Sequence, residues 1–299
     1  MYNNAYHGSR SSDVVRNGQR GVEIGALFGQ PSNSSYEEDL YCLAPPLHEL
    51  ILGGPCVFCI YCGRRHSGKQ STICSRWCED SLYFAGPNIV NIPRHHTAFT
   101  SVAEQFEQSW RHPHKRCPTV RRIYLIISSF DVVSRYEAYQ QTVEAYGDFT
   151  AVGRSPGNEK RRWHGTRREC WIGEKDQTRP CNSSTCSLCC IIRKSFDLRH
   201  FKGRTGWGRF GREFYTSSTS SKSDDYSLST DRWSTMKATV LAKVVVGRGY
   251  KMRYDNTSLT TPPVGYDSVL DEVGAQLNYD EVVVYSNDAI RPAYLVLYD

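Results

Sequence analysis

The chain has 299 residues, a formal net charge of +6, and 39% hydrophobic and 12% aromatic residues, enough to bury one or two cores and to exclude a globally disordered protein. The start, MYNNAYHGSRSSDVVRNGQR, lacks an apolar run behind a basic head, and no later stretch reaches membrane-spanning length; an intracellular chain, nuclear or cytoplasmic, with no membrane partner is expected. The mild positive charge permits contact with phosphates or acidic partners without requiring it.

Residues 1–50 are rich in Asn, Ser, Gly and Arg without a lasting period, and read as a loosely ordered leader. The twelve cysteines begin in earnest after it. Disulfide frameworks belong to small secreted domains and nothing here directs secretion, so metal ligation or buried thiols are the expectation. Within residues 51–90, CIYCGRRHSGKQSTICSRWC carries Cys59 and Cys62 in a CxxC knuckle closed by Gly63, with Cys74 and Cys78 one helical turn apart. Four thiolates around one tetrahedral zinc follow from that spacing, with Cys56 as a substitute ligand. A closed four-cysteine site is structural and supplies folding energy to a module too small for its own core. The segment resembles treble-clef-type fingers, whose partners are protein or nucleic acid.

A larger domain is expected over 97–299. In SVAEQFEQSW, Val102, Phe106 and Trp110 keep the spacing of one helix face, and RRIYLIIS is a short apolar run that reads as a buried strand. DVVSRYEAYQQTVEAYG keeps Val133, Tyr136, Tyr139, Val143 and Tyr146 at helical spacing, with Gly147 placed to end the helix. The Val- and Tyr-rich stretches MKATVLAKVVVGRGY and DEVVVYSNDAIRPAYLVLY predict strands, the second broken into two at SNDAIRP. The C-terminal half is mostly sheet, and the fold class is α+β.

His164-Gly165-Thr166 carries no signal alone, because a lone histidine is usually part of ordinary hydrogen-bonded structure. Tyr215 in FGREFYTSSTSSKSDDY and Glu281 in LNYDEVVVY follow it, each beside a predicted strand. With RRWHGT first and PPVGYDSV ahead of the last motif, the chain resembles the catalytic domain of the poly(ADP-ribose) polymerase family, the diphtheria-toxin-like branch of ADP-ribosyltransferases. The four motifs stand in family order and the likeness covers about two-thirds of the chain.

The resemblance implies two packed antiparallel-rich sheets around an NAD cleft, and an enzyme that moves ADP-ribose from NAD to a protein or nucleic-acid acceptor with release of nicotinamide. Alternatives are NAD glycohydrolysis and an inactive NAD- or nucleic-acid-binding relative. It gives His164 a ribose hydroxyl, Gly165 the nicotinamide carboxamide, Tyr215 and Tyr226 the two faces of the nicotinamide ring, and Ser223 its amide oxygen. Glu281 would complement the oxocarbenium character that develops at the anomeric carbon and align the acceptor. Asp280, its neighbour, should face the other way on a strand. The segment between the finger and His164 has no room for the all-helical regulatory subdomain of some members, so NAD access is expected to be unrestricted.

Two departures stand out. Glu213 replaces the second glycine of the family's F-G-x-G pattern, which would strain the pocket if that position needs positive φ. An insertion, CWIGEKDQTRPCNSSTCSLCC, follows the first motif over 170–190. Its Cys170, Cys181, Cys186 and Cys189 suit a second structural zinc, with Cys190 as a rival for the last place.

Overall fold

The computed structural model describes residues 58–65, 72–85, 88–200, 208–232, 234–271 and 279–299; the leader and Cys56 lie outside them. In chain order the elements begin with α1 (Arg76–Phe84), β1 (Asn88–Asn91), α2 (Thr97–Gln108), β2 (Val120–Ile127), α3 (Phe130–Gly147), β3 (Glu159–Gly165), β4 (Arg167–Arg168) and α4 (Ser187–Lys194). They continue with β5 (Phe214–Thr216), α5 (Ser220–Tyr226), β6 (Leu228–Ser229), β7 (Lys237–Val245), β8 (Gly249–Met252), β9 (Ser268–Asp271), β10 (Glu281–Val284) and β11 (Ile290–Tyr298).

A five-stranded sheet runs β1-β2-β11-β7-β3, with every pairing antiparallel. Its central strands β7 and β11 read as near-continuous apolar runs because both faces are covered. Pro292 is tolerated in central β11 because the register with β7 shifts there between Pro292 and Tyr294. A second sheet runs β5-β10-β9-β8, antiparallel except for β8 with β9. The two strands read from DEVVVYSNDAIRPAYLVLY therefore belong to different sheets.

The alternation of β7 assigns the layers. On one face Leu241 packs with Phe99, Val102 and Phe106 of α2, and Val245 with Tyr136 and Val143 of α3. On the other, Val240, Ala242 and Val244 meet Phe214, Val282 and Val284 of the second sheet and Leu188, Ile191 and Ile192 of α4. The architecture is mixed α+β: helices, sheet, then sheet with α4. Trp110 lies beyond the end of α2 and packs beside it, and Tyr146 of the expected α3 stripe is exposed. The left-handed residue that ends α3 is Asp148, at φ 47°, not Gly147. Gly147 serves otherwise: a Cβ there would lie 2.0 Å from the Phe149 ring, which folds back on it.

The finger docks on this domain through His96, the N-cap of α2. Its Nδ1 accepts from the Ala98 amide at 3.0 Å, so Nε2 carries the proton and donates to the Phe58 carbonyl at 2.6 Å. Among the described residues no helix is long and apolar enough to cross a membrane.

Candidate active site and cysteine clusters

Two strands from different sheets bring the first motif to the second. Trp163 and Ser217 exchange backbone hydrogen bonds, 2.8 and 3.0 Å, and Trp163 is itself anchored by its indole N–H on Ser109 Oγ and edge-on to Phe106. The next residue, His164, pairs with Val240 and so faces the second sheet. Its Nδ1 lies 2.9 Å from the Tyr215 carbonyl oxygen. A carbonyl only accepts, so Nδ1 is the donor and neutral His164 keeps Nε2 as an acceptor. Burial holds His164 below the usual histidine range, the Tyr215 carbonyl opposing.

Tyr215 and Glu281 share one face of the second sheet, because Tyr215 is registered with Val283 and Glu281 lies two residues before it. The half-buried Tyr215 ring packs against Phe210, Val269 and Val283, and its hydroxyl accepts from the Phe210 amide at 3.0 Å. Glu281 is buried, with Lys222 Nζ at 3.4 Å. Burial raises the Glu281 carboxyl above its ordinary range and Lys222 opposes the shift. Asp280 is turned to Arg162, 3.1 Å away, and accepts from the Ser218 hydroxyl.

Gly165 meets α5 at close range. A Cβ there would sit 1.9 Å from the Ser223 carbonyl oxygen and 3.0 Å from Tyr226 Cβ, so the glycine is needed first for the seating of the helix. Ser223 is buried; its hydroxyl donates to the Ser220 carbonyl at 2.7 Å and receives Thr239 Oγ1 at 3.1 Å. A ligand oxygen would have to take that proton from Ser220. Tyr226 is 53% exposed, with Lys222 Nζ 5.7 Å from its ring centroid, which leaves an aromatic face available. Lys222, which reaches both Glu281 and Tyr226, was not among the residues singled out from sequence; its place four before Tyr226 on a helix was the available signal.

Glu213 is buried, and after burial its carboxylate is the next cause that holds the Tyr215 hydroxyl above its usual range. It is not among the non-glycine residues with positive φ; the positive φ of this segment belongs to Gly211, at +93°, where a Cβ would strike the Leu259 carbonyl at 1.8 Å. The glutamate thus imposes no left-handed strain.

Both cysteine sets converge: the sulfurs of Cys59, Cys62, Cys74 and Cys78, and those of Cys170, Cys181, Cys186 and Cys189, lie within 4.8 Å of one another in each set. Sulfurs bound to one tetrahedral zinc at about 2.3 Å stand about 3.8 Å apart. The observed pairs run from 3.4 Å, Cys170 to Cys189, through 3.5 Å, Cys62 to Cys74, to 4.0 Å, Cys170 to Cys186. Backbone amides of Glu169 and Cys181 point at Cys186 and Cys189, at 3.3 and 3.4 Å, the outer contacts that steady a thiolate. Both sets could hold zinc. Cys190 turns away to the Ser183 and Ser184 carbonyls, which leaves the last place to Cys189. In the finger, Gly63 takes φ +73° to close the knuckle, and Cys74 sits just ahead of α1, whose first turn carries Cys78.

The second cluster adjoins His164. Cys189 lies in α4, and Phe196, just past its end, meets the His164 ring edge-on. Buried Arg168 ties the insertion to the segment before β7, with Glu174 at 2.6 Å and the Met236 carbonyl as partners.

The chain matches no protein-family model and no curated protein.

Proposed function

We propose that the chain is an NAD-dependent ADP-ribosyltransferase of the poly(ADP-ribose) polymerase type. The observation that carries this reading is that His164 bonds the Tyr215 carbonyl while Tyr215 and Glu281 share one sheet face, three strands of two sheets being involved, beside the Gly165–Ser223 approach and the open face of Tyr226. Isolated motif matches would not be expected to meet in space.

In this reading NAD is the substrate. The His164 acceptor nitrogen takes a ribose hydroxyl, the Gly165 backbone and Ser223 hydroxyl take the carboxamide, and the nicotinamide ring lies against Tyr226 with Tyr215 behind it. The bond between the nicotinamide nitrogen and the anomeric carbon breaks and its electron pair leaves with nicotinamide. The carbon gains oxocarbenium character that the Glu281 carboxylate complements, and an acceptor oxygen or nitrogen then bonds to it and gives up its proton to Glu281 or solvent. Lys222 keeps Glu281 charged in a buried setting where burial alone would favour the neutral acid. Both cysteine sets would hold zinc with all four positions taken by thiolates, which suits a structural role.

Incubation of purified protein with labelled NAD, followed by mass spectrometry of protein and nucleic-acid fractions, tests the reading. Nicotinamide release with label on a macromolecule supports transfer; release with free ADP-ribose alone makes the chain a glycohydrolase. Absence of release from metal-loaded protein rejects the enzyme.

A further inference from the structure

Glu281 and Asp271 stand directly opposite each other on antiparallel β10 and β9, so both carboxylates leave the same face of the second sheet. Asp271 is 2% exposed and Glu281 7%, which removes the water that ordinarily weakens repulsion between like charges. Each carboxylate has its own cation. Arg209 Nη1 lies 2.5 Å from Asp271 Oδ2, and Lys222 Nζ 3.4 Å from Glu281 Oε1. Arg209 is shared, because Asp255 holds its Nε at 2.7 Å and its Nη2 at 2.6 Å. Asp280, another acidic neighbour of Glu281, is occupied by Arg162. Among the described ion pairs, Arg209 and Lys222 thus face Asp271, Glu281 and Asp255, an excess of negative charge in a buried place. Asp271 Oδ1 is buried without a hydrogen-bond partner.

We propose that Asp271 is the positioning residue of Glu281: the facing carboxylates, one held by Arg209 and the other by Lys222, act as a coupled pair, and Asp271 sets the acidity at which Glu281 gains a proton and stops complementing a cationic centre. Two carboxylates sharing one buried place take the first charge readily and the second reluctantly. Burial pushes Asp271 up to about 6, Arg209 opposing and the Glu281 charge adding to the rise. The inference deepens the transferase reading, and rests on it for the kinetic half of its test.

Asp271→Asn removes the facing charge while keeping the shape. The acid limb of the kcat/KM profile for nicotinamide release should then move down by about one pH unit, the scale of one like charge at close range. Asp255→Asn, which removes a charge that does not face Glu281 across the ladder, should move it far less. In parallel, the side-chain carboxyl carbon of Glu281, followed by NMR, should titrate at lower pH in Asp271→Asn. If Asp271→Asn does not fold, the wild-type protein decides: both carbons should show two shared inflections, and independent single inflections overturn the proposal. An unmoved Glu281 titration in folded Asp271→Asn overturns it as well. A moved titration in a protein whose wild type releases no nicotinamide leaves the pairing standing and rejects the transferase reading.

Discussion

Phe196 meets the His164 imidazole edge-on, with ring centroids 5.0 Å apart and planes at 82°. The residue follows α4, which begins inside the second cysteine cluster, so a metal ion there would brace the wall of the proposed ribose site. Protein never exposed to chelator should contain two zinc ions per chain by elemental analysis, one for each four-cysteine set. Less than one metal per chain rejects both sites. Cys189→Ser and Phe196→Ala should each weaken a nicotinamide-site competitor by about three- to tenfold, the scale of one aromatic edge contact. Cys78→Ser in the finger should leave turnover of free NAD nearly unchanged.

Glu281→Gln keeps the shape of the side chain and removes its charge. The expected result is a fall in kcat of about a hundred- to a thousandfold, the usual cost of one preorganised electrostatic partner, with KM little altered. Asp280→Asn is the control. Because Asp280 faces Arg162 and Ser218, the substitution should cost some stability through that ion pair and leave kcat nearly intact. Steady-state kinetics on both variants checks this, and the reverse ranking would discard the motif assignment.

Tyr226 offers its ring and little else. Tyr226→Ala should weaken nicotinamide-site ligands by about 1–2 kcal/mol, whereas Tyr226→Phe, which keeps the ring, should cost little. Calorimetric titration separates the two, and equal losses would mean that the hydroxyl is the contact and that the ring does not stack.

His164 also makes a prediction about stability. Its folded value lies below the usual one because of burial, so the unfolded chain takes the proton first as pH falls. The contribution is complete above the unfolded value of about 6.5 and is lost as pH falls through the window beneath it. Thermal melts at about pH 7.5 and about pH 5.5 should show a larger drop for wild type than for His164→Gln, which cannot titrate. Equal drops would show that His164 is not the group responsible.

Much of this was legible in the sequence, for identifiable reasons. Phe106 and Val133 sit in periodic runs, so α2 and α3 followed from spacing, and His164, Tyr215 and Glu281 stood in the motifs that carry the resemblance, of which the fold shows the His164–Tyr215 contact and the shared face of Tyr215 and Glu281. Other features depend on contacts between distant segments. No local pattern distinguishes Cys189 from Cys190; the fold does, by turning Cys190 to the Ser183 and Ser184 carbonyls. Glu213 looked strained because its neighbours resembled a glycine-rich turn, yet Gly211 alone takes the left-handed backbone there. Arg209 and Asp271 carried no signal, since Asp271 faces Glu281 only through the register between β9 and β10, and Arg209 reaches Asp271 from a distant segment of the chain.

The last strand in the chain, β11, lies in the middle of the larger sheet, bonded to β2 on one side and β7 on the other. On the ribosome, therefore, β2 and β7 emerge with a gap between them that none of the earlier described strands fills, and the sheet cannot close until residues 290–298 have been made. Synthesis arrested even a few residues before Ile290 would leave every motif residue translated but the layer that supports His164 open. Premature stop codons anywhere ahead of β11 should accordingly act as complete losses, and the nascent chain should depend on chaperones until residues 290–298 have paired.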